Sequence, residues 1–425
     1  MSFYRLVSSS LLLGSALGLA LGACSGADPS SNDMTATPGG YSAGGTGGSS
    51  SPAGMPGTAG SGDPGGAASH AGTTSAGGAA GVSGATSVGG TLGSAGTPAQ
   101  GGHATGGNAG ATSMAGSGTG GSANAGECVA PVNPNATKQA KNLLCYLYSQ
   151  YGNHVISGQQ ETSWDNPQND ISWYTDNGMK APAILGGDYL YPNGTTDRAI
   201  AYWKAGGIPM IRYHMGAPGT SDTYENSKGA ANLDNTLQAG TAENTSFKSK
   251  LDYAAAELKK LQDQNVPVLW APFHEVQANG WFWWAKGTGP QFVGLWKYMF
   301  DYFTKTKGLN NLVWLMPFSG TPSSPYFPGK EYVDLCGPDT YDEGQPFTAL
   351  FNTAKGIVGA TTPIPLHETG RIPTPASMFP SAAPWVLFNV WATYQSDGTH
   401  NTTANVKSVY EDAHTVTRDE VPNLN

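Results

Sequence analysis

The chain has 425 residues, a formal net charge of −9 and no basic run, which excludes nucleic acid as a partner. Its four cysteines show no CxxC or Cys/His spacing, so no structural zinc is expected. Length alone permits two or three domains, but the 60 glycines crowd toward the N-terminal third and leave room for one large folded unit.

Met1 to Ala23 reads as an export signal, with Arg5 ahead of the apolar stretch Leu11–Leu21. The end of that stretch, Leu21-Gly22-Ala23-Cys24, resembles a bacterial lipobox. Cleavage before Cys24 and lipid on its sulfur are expected; a plain secretory signal is the alternative. The apolar run is too short to remain as a membrane span. Residues 24–126 then form a low-complexity linker of Gly, Ala, Ser and Thr with no Lys, Arg, Trp or Phe. Such a segment cannot bury enough apolar surface to offset the ordering of its backbone, so it is expected to be disordered. Its root-mean-square reach is roughly 50–60 Å. A GxGxxG at Gly116–Gly121 has neither a preceding strand nor a following helix and carries no dinucleotide reading. The expected location is the outer membrane or cell surface, anchored through Cys24, or secretion into the medium.

The folded domain is expected over 127–425. A helix from Lys138 to Tyr151 opens it, and strands are predicted at His154–Gly158, Pro182–Gly187 and Ile208–His214. A long polar loop, Gly216–Thr245, precedes a helix whose Phe247, Leu251, Ala254, Leu258 and Leu261 share one face. Further strands are predicted at Val266–Phe273, Leu312–Met316, Val333–Cys336, Ile364–His367 and Trp385–Val390, with a helix over Gln291–Lys305. Strands alternating with helices or long connections over about 300 residues fit a (β/α)8 TIM barrel better than a doubly wound sheet. Cys128 and Cys145, close together at the domain start of an exported chain, are expected to pair, leaving Cys336 buried and free.

Function in such a barrel lies at the C-terminal ends of the strands. Those ends are polar and aromatic: Gln159 and Gln160, Asp188, Arg212 and His214, His274 and Glu275, Ser319, Asp339 and Tyr341, His367 and Glu368, and Trp391. Glu275 and Glu368 stand on strands that face each other across the rim, as the two carboxyl groups of a glycosidase do. The plainer alternative makes Glu368 a loop acid paired with Arg371. An HExxH zinc helix is excluded by Ala278, and no GxSxG nucleophile elbow is present. No metal and no cofactor are expected.

Taken together, Pro272-Phe273-His274-Glu275 with Gly280-Trp281-Phe282-Trp283-Trp284, Ile211-Arg212-Tyr213-His214, Asp339-Thr340-Tyr341-Asp342 and His367-Glu368-Thr369-Gly370 resemble glycoside hydrolase family 26. Most members of that family are endo-β-1,4-mannanases. The resemblance implies a retaining mechanism on a clan A barrel, with Glu275 as acid/base and Glu368 as nucleophile. It implies that His214 and His274 bind sugar, that Tyr341 holds the nucleophile, and that Trp391 floors the −1 subsite. Trp281 and Trp284 would line the cleft, while Trp283 and Trp296 are read as core. Arg212 either touches sugar or orients a carboxylate. The chain departs from the family pattern where some members carry Arg directly after the floor Trp; here that residue is Ala392. The expected substrate is therefore β-mannan, with β-1,3-xylan or mixed-linkage glucan as rivals on the same scaffold, and a non-hydrolysing polysaccharide binder as the rival from another class. A monomer is expected.

Overall fold

The computed structural model describes residues 128–161, 169–190, 194–380 and 382–425. The expected signal segment, Cys24 and the linker to Gly126 lie outside the described residues. The first helix, Lys138–Gln150, starts where the Thr137 side chain accepts the Ala140 N–H, and it buries Ala140, Leu143, Leu144 and Leu147 on one face. Cys145 on this helix is bonded to Cys128, with their Cα atoms 4.8 Å apart, and Cys336 is free and buried. Asp334 fastens the same end of the domain: its two oxygens accept the Val132 N–H at 2.7 Å and the Trp314 N–H at 2.8 Å.

Eleven strands follow among the described residues: β1 Val155–Ile156, β2 Gly158–Gln160, β3 Ile184–Asp188, β4 Ile208–Arg212, β5 Val268–Trp270, β6 Leu312–Pro317, β7 Leu335–Gly337, β8 Asp339–Thr340, β9 Leu366–Thr369, β10 Phe388–Val390 and β11 Thr415–Val416. Nine of them form one parallel sheet in the order β7-β6-β5-β4-β3-β2-β10-β9-β8. The two ends of that order, β7 and β8, are consecutive in the chain and separated only by Pro338. Proline has no N–H to give the ladder, so it divides one stave into two short strands. The segment 335–340 thereby closes the sheet, and the architecture is the expected (β/α)8 barrel. All barrel-strand residues are buried, as expected for a parallel sheet packed on both faces.

Three sequence expectations need correction. The predicted first strand is divided: β1 pairs with β11 outside the barrel, and the barrel stave begins only at Gly158. A Cβ at Gly158 would meet the Phe388 carbonyl oxygen at 2.7 Å, so only glycine lets the chain enter the barrel there. The segment read as a loop, Gly216–Thr245, contains short helices at Tyr224–Ser227 and Leu233–Leu237, and the next helix begins at Ala242. Thr223 and Asn232 cap the short helices with their side chains; polar caps in short helices look like loop composition. The helix Ala242–Asp263 buries Phe247, Leu251, Ala254, Leu258 and Leu261 as anticipated. The helix predicted over Gln291–Lys305 begins earlier, at Gly289, where Thr288 and Gln291 form a capping box, and gives way to a π-turn over Tyr302–Thr306.

Candidate active site

β5 ends at Trp270, and the chain then runs through Phe273 and Glu275, both at positive φ (53° and 56°). Non-glycine residues hold that conformation only when their surroundings fix it. Here the fixing contacts are visible. Val276 bridges to Phe318 beyond the end of β6, and the Ser319 N–H donates to the Val276 carbonyl at 3.2 Å. On the other side the Trp284 indole N–H donates to the His274 carbonyl at 3.0 Å. Trp284 is fully buried and stacks on Phe282 with ring centroids 4.7 Å apart. The expectation that Trp284 lines the cleft is therefore corrected: it braces the turn that carries Glu275. Trp283 and Trp296 are buried as anticipated, with their N–H groups on the Met215 and Tyr332 carbonyls. Trp281 stays half-buried and donates its N–H to Glu275 Oε2 at 3.0 Å.

Glu368 lies within β9 rather than after it, in register with Asp339 on β8. Its Oε1 accepts the Tyr341 hydroxyl at 2.6 Å, and its Oε2 lies 3.5 Å from the Arg212 guanidinium. That guanidinium also donates to the Gln160 side-chain oxygen and to the His367 carbonyl. Arg212 is completely buried, with its guanidinium facing Glu368. Its Cζ lies 5.8 Å from the centroid of the half-buried Trp391 ring, at the end of β10. Arg371 pairs with Glu343, not with Glu368.

A third carboxylate, Asp339, completes the cluster. Oxygens of Glu275, Asp339 and Glu368 all lie within 4.8 Å of one another. Burial pushes Glu275 well above the ordinary carboxylate range. The charges of Asp339 and Glu368 and a side-chain hydrogen bond with Asp339 push it further. The sequence puts Asp339 at a strand end without marking it out from its neighbours. The available signal was its spacing of two from Tyr341, which puts both on one face of the stave. The cluster has the reach to hold a cation, although Trp281 and Tyr341 already donate to two of its members.

The histidines form the other wall. His214 Nδ1 lies 2.5 Å from Asp188 Oδ2, and Asp188 also accepts the His214 and Leu190 backbone N–H groups. Burial works to raise Asp188, but the His214 charge and these hydrogen bonds outweigh it and hold the carboxyl below its usual range. The His274 ring meets that of His214 edge-on, centroids 3.8 Å apart, and is only 1% exposed. Burial, helped by the charges of His214, Arg212 and His367, keeps His274 well below the normal histidine range. His367 falls to about 3 through burial and Arg212, although its Nε2 contacts the Phe318 carbonyl at 2.8 Å. Two neutral rings thus underlie a site whose carboxylates differ sharply in environment. One is crowded by negative charge, the other held by a cation and a phenol. Such a pair can deliver a proton from one side and present an anionic oxygen from the other.

The model of glycosyl hydrolase family 26 matches residues 132–420. A mannan endo-1,4-beta-mannosidase from Thermothelomyces thermophilus is 30% identical over 312 residues, covering 68% of this chain and 62% of that protein. The chain spans between 51% and 62% of the length of this relative and two from a Piromyces species. Among solved structures, a beta-(1,4)-mannanase from Podospora anserina is similar with a TM-score of 0.63 and 30% identity, covering 69% of each chain. A beta-mannanase from a symbiotic protist of the termite Reticulitermes speratus, complexed with gluco-manno-oligosaccharide, is similar with a TM-score of 0.62 and 29% identity over 69% of this chain and 97% of that one.

Proposed function

The chain belongs to glycosyl hydrolase family 26, and from that premise we propose that it hydrolyses internal β-1,4-mannosidic bonds of mannan, galactomannan or glucomannan by a two-glutamate double displacement. The observation that carries the reading is the approach of Glu275 and Glu368 oxygens to within 4.8 Å, with Glu275 buried beside Asp339 and Glu368 held by Tyr341 and Arg212. Retaining glycosidases hold their carboxyl groups about 5–5.5 Å apart, whereas inverting enzymes leave roughly 6.5–9.5 Å for a water.

In the proposed first step Glu368 attacks the anomeric carbon while Glu275 protonates the departing glycosidic oxygen. The C–O bond breaks, and a glycosyl ester forms on Glu368. In the second step Glu275, now a carboxylate, takes a proton from water. The resulting oxygen attacks the anomeric carbon and releases Glu368. Arg212 and Tyr341 fix the direction in which Glu368 points, and burial beside Asp339 favours the protonated form of Glu275. His214, fixed by Asp188, and Trp391 supply polar and stacking surfaces for the −1 sugar; Trp281, beside Glu275, offers its face on the leaving-group side. The relatives' names support mannan as substrate. Ala392 after Trp391 keeps β-1,3-xylan and mixed-linkage glucan as comparison substrates.

Reducing-sugar release from β-mannan, β-1,3-xylan and mixed-linkage glucan tests this reading. Rapid release of oligosaccharides from mannan alone is expected, and activity on xylan or glucan with none on mannan overturns it. We also propose that 1–23 is a signal, that Cys24 carries lipid, and that 24–126 tethers a monomeric catalytic domain beginning near 127. This rests on the composition of those segments. Cys24→Ser should move the protein from the membrane fraction to the soluble one; unchanged fractionation removes the anchor.

A further inference from the structure

Gln277 is an ordered polar group at the rim that takes no part in the steps above. Gln277 follows Glu275 by two residues, just past the Val276–Phe318 bridge that ties the end of β5 to the end of β6. Its side-chain oxygen accepts two hydroxyls: Ser319 Oγ at 2.6 Å and Thr321 Oγ1 at 2.5 Å. The direction of these bonds is set by the neighbours. Ser319 Oγ itself accepts the Thr321 backbone N–H at 3.3 Å, so its hydrogen is free to point at Gln277. With Oε1 engaged twice, the amide nitrogen has no hydrogen-bond partner among the described residues. Gln277 is half-buried, Ser319 buried and Thr321 exposed, so the amide is anchored from below and open at the surface.

We infer that Gln277 is a specificity-determining residue of the leaving-group subsite: its amide, held by Ser319 and Thr321, donates to a hydroxyl of the sugar that departs when Glu275 delivers its proton. This rests on the assignment of Glu275 as proton donor. The groups that hold the −1 sugar and the nucleophile come from β4, β8, β9 and β10, whereas Glu275, Gln277, Ser319 and Thr321 stand at the ends of β5 and β6. The glycosidic oxygen must reach Glu275, so the ring beyond it faces the β5–β6 rim. There the half-buried Trp281 offers a face and the Gln277 amide offers two donors. An amide whose orientation is already fixed loses little freedom on binding, so its hydrogen bond contributes more fully to recognition.

A sugar leaving group must therefore depend on Gln277, while an aryl leaving group, which has no hydroxyl there, must not. The test compares Gln277→Met and Thr321→Val with the wild type on mannopentaose and on a 2,4-dinitrophenyl β-mannobioside. The expected result for Gln277→Met is a loss of about tenfold in kcat/KM on mannopentaose, the size of one lost hydrogen bond, with a change under about twofold on the aryl substrate. Thr321→Val, at an exposed position, should show a smaller loss in the same sense. Transfer of mannosyl groups to added mannotriose, which must enter the same subsite, should fall in parallel. Equal losses on both substrates, or no loss on either, overturn the inference. A wild type that cleaves neither overturns the functional reading on which it rests, so the two failures are distinguishable.

Discussion

Glu275 and Glu368 carry the same functional group, and their surroundings make them different reagents. Glu368 receives a phenol hydrogen bond and lies beside a guanidinium, while Glu275 is buried against two other carboxyl groups. Asp339 is the lever on that difference. Asp339→Asn removes a negative charge and an acidic hydrogen-bond partner from Glu275, so the raised pKa of Glu275 should fall toward its ordinary value. The proposed acid must be protonated in the first step, so the alkaline limb of kcat/KM against pH should move to lower pH and activity at neutral pH should drop. An unmoved alkaline limb would remove Asp339 from this role. The two glutamates were legible in the sequence because each follows an apolar run and polar partners recur at neighbouring strand ends. The fate of the tryptophans was not. Trp281 and Trp284 are three residues apart in one aromatic cluster, and only packing shows that one meets Glu275 while the other fills the core behind His274. Which groups Arg212 meets was equally hidden, because Gln160, His367 and Glu368 come from other staves.

At the level of elements, apolar runs marked the staves, but their boundaries followed contacts that the runs do not encode. β9 starts two residues later than its apolar run suggests, which places Glu368 inside the stave. The Pro338 break divides the stave that closes the barrel, and composition gives no sign that β7 and β8 pair with opposite neighbours. Gly158 shows how one residue sets a boundary. The Phe388 carbonyl and the Ile184 Cβ leave no room for a side chain between β2 and its neighbours. Gly158→Ala is expected to destabilise the domain by about 1–3 kcal/mol, the usual consequence of forcing an extra carbon into a packed core. Urea unfolding checks this, and an unchanged midpoint would show that the staves can separate without cost.

The barrel gathers residues spread from Arg212 to Trp391 around one rim. Polar residues recurring at the ends of successive apolar runs made this part of the chain readable. The glycine-rich stretch of the N-terminal third was readable only as composition. The central claim is a retaining double displacement at Glu275 and Glu368, and carboxyl oxygens within 4.8 Å of one another motivate it. Proton NMR of the anomeric signals during the first minutes of mannan hydrolysis tests it most directly. The β-anomer of the new reducing end should appear first, with the α-anomer following only by mutarotation; initial appearance of the α-anomer would contradict a double displacement.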